Sequence, residues 1–454
     1  MANIRLISTS TVHAAAQDDQ KKVQPNLRIE LTPWDLQLLP VDSIQKGLLF
    51  RKPKESQINC LIHHLKTSLS RTLYFFAPLA GRLATIKHDD NTISFFIDCN
   101  NAGAEFVHAI ADGVSIADII ESTYVPEIVY SFFPLNGIKN YEGTSKPLLA
   151  VKATELVDGI FIACTINHTT GDGSSFWHFF NSWSEISRGF DCLSRPPILQ
   201  RWFLPDMVFP IRIPNLISKQ VLCSKFILPP LKQRVFHFSR ENIAKLKAKA
   251  IVEIGTNNKI SSLQALLSHL WRSVIRNNKI LDPDQEVNYR LLIGVRPRLI
   301  NPPMPQEYFG NAVQAGSITM KAREVLDQGL GYVAWKMNKM VAMHTEEKLL
   351  NFLESWIENP RLLTMDSMVT NALVTSSSPW FNVYGNDLGW GRPIAVRSGP
   401  GNKSDGKITL FEGVEEGSVD IEACLSPETL QGMDMDAEFM DAVTTCTTLN
   451  ISGK

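Results

Sequence analysis

The chain has 454 residues, 44% of them hydrophobic, with 45 lysines and arginines against 46 acidic residues and a formal net charge of −1. That length and apolar content can build large cores, and length alone gives a prior of about two or three domains. The balanced charge excludes a global basic excess of the kind that holds a nucleic-acid backbone, so an anionic ligand needs local basic groups.

The first residues, "MANIRLISTSTVHAAAQDDQKK", contain no continuous apolar segment of signal-peptide length, and no later run approaches the ~20 residues of a membrane helix. The expectation is a cytoplasmic protein without a membrane span; the final "ISGK" carries no address signal. Residues 1–195 read as an N-terminal lobe of alternating element types. "QINCLIHHLKTSLSRTL" places Ile58, Leu61, Ile62, Leu65 and Leu69 at helical spacing, and "TISFFIDC" and "GIFIACTINH" read as short β-branched or aromatic strands. Between 196 and 230, seven of the 25 prolines fall within 35 residues, which excludes regular helix or central strand. This segment is expected to be an ordered strap between lobes. A C-terminal lobe, 231–454, carries helices near 240–250, 261–277 and 322–345 and strands near 288–294, 370–376 and 417–424, so the fold class is mixed α/β or α+β. The seven cysteines are scattered, with no CxxC pair or zinc-finger spacing, and read as reduced structural thiols.

The stretch "CTINHTTGDGSSFWHFFNSW", residues 164–183, concentrates chemistry-bearing residues. A buried strand over 160–167 meets turn residues Gly171, Asp172 and Gly173, and Ser174 or Ser175 is the candidate N-cap of a helix. Phe176, Phe179, Phe180 and Trp183 then recur at i, i+3, i+4 and i+7, one apolar helix face. His168 stands at the strand end, where a general base is useful because imidazole titrates near neutral pH. Asp172 would brace it. Other readings stay open, since ten histidines placed at random among this many aspartates give about 0.5 matches to H-x-x-x-D. One is a histidine satisfied within the structure; another is a metal site using His168, Asp172 and His178, which lacks a further ligand pair nearby.

"YFFAPLAGRL" at 74–83, "VRPRLINPPMPQEYFGNAV" at 295–313 and "NDLGWGRPIAVRSGP" at 386–400 occur in order around HTTGDG. Together they resemble the plant BAHD superfamily of acyl-CoA-dependent acyltransferases, whose marks are H-x-x-x-D-G and D-F-G-W-G. The resemblance runs nearly end to end; "LISTSTVHA" and "LTPWDLQLLPVDSIQKGLLF" look like a branch of uncharacterised acetyltransferase-like members.

The resemblance implies a two-lobed fold similar to chloramphenicol acetyltransferase, with a central solvent channel, acyl-CoA entering from one face and the acceptor from the other. It implies His168 as general base, Asp172 holding the histidine loop through a salt bridge, Gly173 closing the motif, and direct attack on the thioester without an acyl-enzyme. It nominates the Trp390 indole as oxyanion donor and makes Asp387, Gly389 and Gly391 a structural element in which Asp387 pairs with Arg296. Leu388 departs from the usual phenylalanine, a change that keeps apolar character at a packing position. On the cofactor side it nominates Ser261, Ser262 and Lys403; Trp34 is nominated as an acceptor-side wall. No permanent cofactor and no metal are implied. The partners are acyl-CoA as co-substrate and a small plant-type metabolite bearing a hydroxyl or amine, with no nucleic acid, and the expected state is a monomer. A second functional reading is a CoA-independent lyase of the same family acting on a conjugated acid such as an isochorismoyl amino acid; a third is a non-catalytic binding protein.

Overall fold

The computed structural model describes residues 3–15, 27–204, 207–215, 230–255, 259–363 and 371–444. The strands in chain order are β1 (Asn3–Val12), β2 (Arg28–Glu30), β3 (Ile44–Arg51), β4 (Arg82–Lys87), β5 (Thr92–Asp98), β6 (Ala104–Asp112), β7 (Leu149–Glu155), β8 (Gly159–Ile166), β9 (Ile213–Pro214), β10 (Lys232–Phe238), β11 (Glu286–Gly294), β12 (Val313–Lys321), β13 (Ala372–Ser376), β14 (Ala395–Ser398), β15 (Lys407–Glu412) and β16 (Val419–Leu425). The helices used below are α1 (Pro33–Leu36), α2 (Glu55–Phe75), α3 (Ile116–Ile120), α4 (Gly173–Ser187), α5 (Arg240–Ile254), α6 (Ser262–Asn277), α7 (Ala322–Asp327) and α8 (Gly329–Ala342).

Two six-stranded sheets dominate. The first has the order β1-β6-β7-β8-β3-β14 and the second β10-β16-β15-β13-β11-β12; a smaller sheet joins β2, β5 and β4, with β9 on β5. Every residue of β8 is buried, because β7 and β3 flank it and both its faces are covered. That explains why its sequence is a continuous apolar run without alternation. On one face α2 and α4 pack together over Leu48, Phe50, Ile162 and Cys164. The predicted helix face of Phe176, Phe179, Phe180 and Trp183 is buried there, each side chain being worth about 1.5–3 kcal/mol of transfer free energy. The second sheet has its own core, formed with α5, α6 and α8.

Three expectations change. β14 belongs by sequence to the C-terminal half but pairs with β3 in the first sheet, so the chain crosses the lobe boundary a second time. The helix expected over 322–345 is two helices, α7 and α8, broken before Gly329. In the proline-rich strap, β9 adds an edge pairing to β5 and Ile198 bridges to Tyr308, while residues 205–206 and 216–229 lie outside the described residues. Among the described residues, no helix is long and apolar enough to cross a membrane.

Candidate active site

β8 ends at Ile166, and the next residues are locked by short-range polar bonds. Asn167 Oδ1 accepts from the Thr169 N–H at 3.1 Å and from its hydroxyl at 2.6 Å, and the Thr170 N–H donates to the Asn167 carbonyl at 3.0 Å. The His168 N–H donates to Asn140 Oδ1 at 2.7 Å, and its carbonyl accepts from Asn311 Nδ2 at 2.7 Å. The two halves of the chain therefore hold His168 by its backbone. The residue is half-buried, and Nδ1 is buried without a hydrogen-bond partner among the described residues. Burial pushes the imidazole pKa below its ordinary value; hydrogen bonding from its own backbone, then the Asp172 charge and the Asn311 side chain, pull it back in part, while the charge of Lys407 adds to the depression. A neutral ring at neutral pH has one nitrogen able to accept a proton.

Asp172 caps α4 through the Ser175 N–H at 3.0 Å, so the cap lies earlier than Ser174 or Ser175. Its carboxylate makes its hydrogen bonds to groups other than His168. Oδ2 accepts from Arg296 Nη1 at 2.7 Å and from the Ala312 N–H at 3.0 Å, while Oδ1 accepts from Arg296 Nη2 at 3.0 Å. Burial alone would raise this carboxyl's pKa, but the Arg296 charge and the donated hydrogen bonds hold it below the usual range. Arg296 thus pairs with Asp172, correcting the expected Arg296–Asp387 pair. The Arg296 fork also donates to the Tyr308 and Gly310 carbonyls, both at 3.0 Å, and so ties the 308–312 loop to the start of α4. Gly310 leaves room for a second guanidinium on the same loop, since a Cβ there would lie 2.1 Å from Arg201 Nη1.

A second buried network supports the first and was missed in the sequence. Asp35 Oδ1 accepts from the Asn311 N–H at 3.2 Å and from Asn311 Nδ2 at 2.9 Å, while Oδ2 lies 3.5 Å from Arg201 Nε. Arg201, from the strap, donates through Nη2 to the Thr170 carbonyl at 3.0 Å and through Nη1 to the Phe309 carbonyl. Two buried ion pairs, Asp172–Arg296 and Asp35–Arg201, therefore flank the 168–172 turn. The local cap pattern T-x-x-D at Thr32–Asp35 is visible in the sequence. Its distant partner Arg201 is not.

The D-L-G-W-G turn lies at the other end of α4. Ser184 Oγ donates to the Asp387 carbonyl at 2.9 Å and accepts from the Asp387 N–H at 2.8 Å. Asp387 Oδ1 accepts from the N–H groups of Gly389 at 2.8 Å and Gly391 at 3.0 Å, and both glycines have φ above +100°, where a side chain would be strained. Leu388 is fully buried in the α2–α4 core. Trp390 packs on Phe50 with ring centroids 5.4 Å apart, and Phe50 pairs with Ile160 at the far end of β8 from His168. By the rise per residue of α4 and β8 the two sites are on the order of 20 Å apart. Trp390 is therefore not placed to donate to an oxyanion at His168.

Further nominations also change. Trp34 is 1% exposed and packs against Trp202 in a core, so it offers no acceptor wall. Ser261 caps α6 in a reciprocal box with Gln264, with Ser262 beside it, and their bonding ties neither to His168. The Lys403 ammonium donates at 2.5 Å to both Glu422 Oε1 and Ser398 Oγ, so it is already paired. His178 Nε2 bonds to the Arg195 carbonyl at 2.8 Å and its ring packs edge-on to Phe76. It does not turn toward His168.

The family model described as Transferase family matches residues 2–440. The chain belongs to that family, the BAHD acyltransferases, and is an enzyme of the acyl-CoA-dependent kind. It is 40% identical over 448 residues to an uncharacterised acetyltransferase of Arabidopsis thaliana (97% of this chain, 99% of the relative) and 42% identical over 430 residues to the protein Enhanced Pseudomonas Susceptibility 1 of the same plant (93% and 95%). Among solved structures, vinorine synthase superposes with a TM-score of 0.70 at 19% identity, covering 97% of this chain and 98% of that one. The Fusarium graminearum enzyme TRI101, in a complex with coenzyme A and deoxynivalenol, superposes with 0.73 at 16% identity (92% and 99%). These confirm the chloramphenicol-acetyltransferase-like fold.

Proposed function

We propose that the protein, working as a cytoplasmic monomer, transfers an acyl group from acyl-CoA to a hydroxyl or amine of a small plant metabolite, with His168 as general base. The observation that carries this reading is His168 itself, whose backbone is pinned by Asn140 and Asn311 while the residue stays half-buried and Nδ1 makes no hydrogen bond to another side chain or loop among the described residues. In this reading the acceptor gives its proton to Nε2 as its oxygen or nitrogen attacks the thioester carbonyl. The tetrahedral oxyanion collapses, the C–S bond breaks, and the departing CoA thiolate takes the proton back from the imidazolium. No bond to the enzyme forms. Asp172 and Arg296 position the turn without touching substrate, and Gly173 opens α4 beside it. Ser261 and Ser262 are kept as candidates for the adenine end of CoA. The coenzyme A in the TRI101 complex supports the choice of donor.

A thermal-shift panel of free CoA and acetyl-, malonyl-, benzoyl- and hydroxycinnamoyl-CoA tests the reading. A thioester at 100 times its dissociation constant adds about 2.7 kcal/mol to stability, and one member of the panel is expected to do so. Stabilisation by none of them would move the assignment to the CoA-independent lyase.

A further inference from the structure

Lysines from both sheets meet where β15 faces β3 and β14. On β15, Lys407, Thr409 and Phe411 share a face, and their partners on β16 are Cys424, Glu422 and Asp420. That face meets the first sheet: Phe411 is buried in the α2–α4 core, and the Lys46 ammonium lies 5.0 Å from the centre of its ring. Lys46 stands on β3 opposite Cys164 of β8 and opposite Ser398 of β14. It is one same-face step from Ile44, which pairs with Ile166 just before His168.

The cluster holds three ammonium groups and one buried carboxylate, Glu422, which acts on Lys46 but is already bonded to Lys403 and Ser398. Neither Lys46 nor Lys407 has a carboxylate hydrogen-bonded to it among the described residues. Burial, followed by repulsion from Lys403, pushes Lys46 down to about 7 and Lys407 down to about 8. Both residues nevertheless keep some accessible surface. An excess of cations costs stability in such a setting unless an anion joins it.

We infer that Lys46 and Lys407 form a recognition site for a carboxylate carried by the reacting end of a substrate. The inference rests on the proposed acyl transfer at His168. Lys46 stands on the strand pair that runs into His168, whereas the phosphates of CoA are separated from the thioester by the whole pantetheine arm. A group bound here therefore belongs to the acyl chain or to the acceptor. Either source presents the same chemistry, a planar anion that takes hydrogen bonds from ammonium groups.

Calorimetric titration of malonyl-CoA, acetyl-CoA and succinate into the wild type, Lys46→Met, Lys407→Met and Lys407→Arg separates the sources. A dicarboxylic acyl group predicts malonyl-CoA binding about tenfold tighter than acetyl-CoA, a preference lost in Lys407→Met and kept in Lys407→Arg. A carboxylate-bearing acceptor predicts equal binding of the two thioesters, with succinate binding weakened about tenfold by either methionine. Acetyl-CoA binding with no malonyl preference and no lysine-dependent succinate binding would overturn the inference while leaving acyl transfer intact. If no thioester binds, the proposed function fails, and the succinate titration still decides whether the lysines hold a carboxylate. Should Lys46→Met not fold, the two Lys407 variants carry the test.

Discussion

The two ends of α4 solve the same problem, anchoring a loop to a helix, with different materials. At its start, a carboxylate and a guanidinium that are both buried exchange two bonds, and further N–H groups and carbonyls take up most of what remains, Arg296 Nε alone of the pair having no partner among the described residues. At its end, one serine hydroxyl and the backbone of Asp387 make a neutral pair of bonds, and a half-exposed carboxylate gathers two glycine N–H groups. The first arrangement is stiff and costly to break, because removing either partner strands a charge in low dielectric. The second is a latch that water can partly replace. The two sequence signatures therefore differ in kind: one fixes the turn that carries the proposed base and the other closes the fold.

The comparison breaks first at Arg296. Arg296→Met leaves Asp172 buried and unpaired and is expected to lower stability by about 3–5 kcal/mol, whereas the double variant Asp172→Asn/Arg296→Met should lose less than the sum of the single losses. Chemical denaturation of the four proteins measures this, and additive losses would mean that the pair is not the unit drawn here. At the other end, Ser184→Ala removes two neutral bonds and should cost only about 1–2 kcal/mol while leaving transfer per folded molecule unchanged. Trp390→Phe sharpens the contrast further. It keeps the ring against Phe50 and should change the transfer rate less than threefold or so, where loss of an oxyanion donor costs about 10²–10³.

The smallest expected effect lies in the pH profile. Burial pushes His168 down, so the neutral base persists below the ordinary histidine value of ~6.5 and the acid limb of kcat should fall at lower pH than that. For stability the unfolded chain takes up the proton first, so the histidine's contribution is complete above ~6.5 and declines as pH drops toward the folded pKa. Lys407→Met removes a charge that disfavours the imidazolium, so the limb should move to higher pH. A limb that stays in place in the variant would separate Lys407 from the base.

Local periodicity made much of this fold legible. The apolar spacing over 57–73 and 176–183 and the continuous run of 160–167 each predicted an element, found at Glu55–Phe75, Gly173–Ser187 and Gly159–Ile166, because burial of a face writes itself into adjacent residues. Pairing across long separations did not. Arg296 was joined to Asp387 instead of Asp172, since both aspartates lie in glycine-flanked turns and nothing nearby in sequence records which one the guanidinium meets. The Trp390 and Trp34 assignments failed for the same reason: an aromatic in a turn or after a cap reads alike whether it lines a site or fills a core. The strap contributes Arg201, and β15 contributes Lys407. Those charges acquire meaning only when the two sheets are brought together.

The central claim is that His168 moves the proton while its surroundings merely hold it in place. Release of CoA thiol from the stabilising thioester, followed with and without a mixture of hydroxyl and amine acceptors, compares the wild type with His168→Ala directly. The account predicts that the variant binds the thioester and melts as the wild type does, with acceptor-dependent thiol release lowered about 10²- to 10⁴-fold. Undiminished release from a folded His168→Ala protein would contradict it.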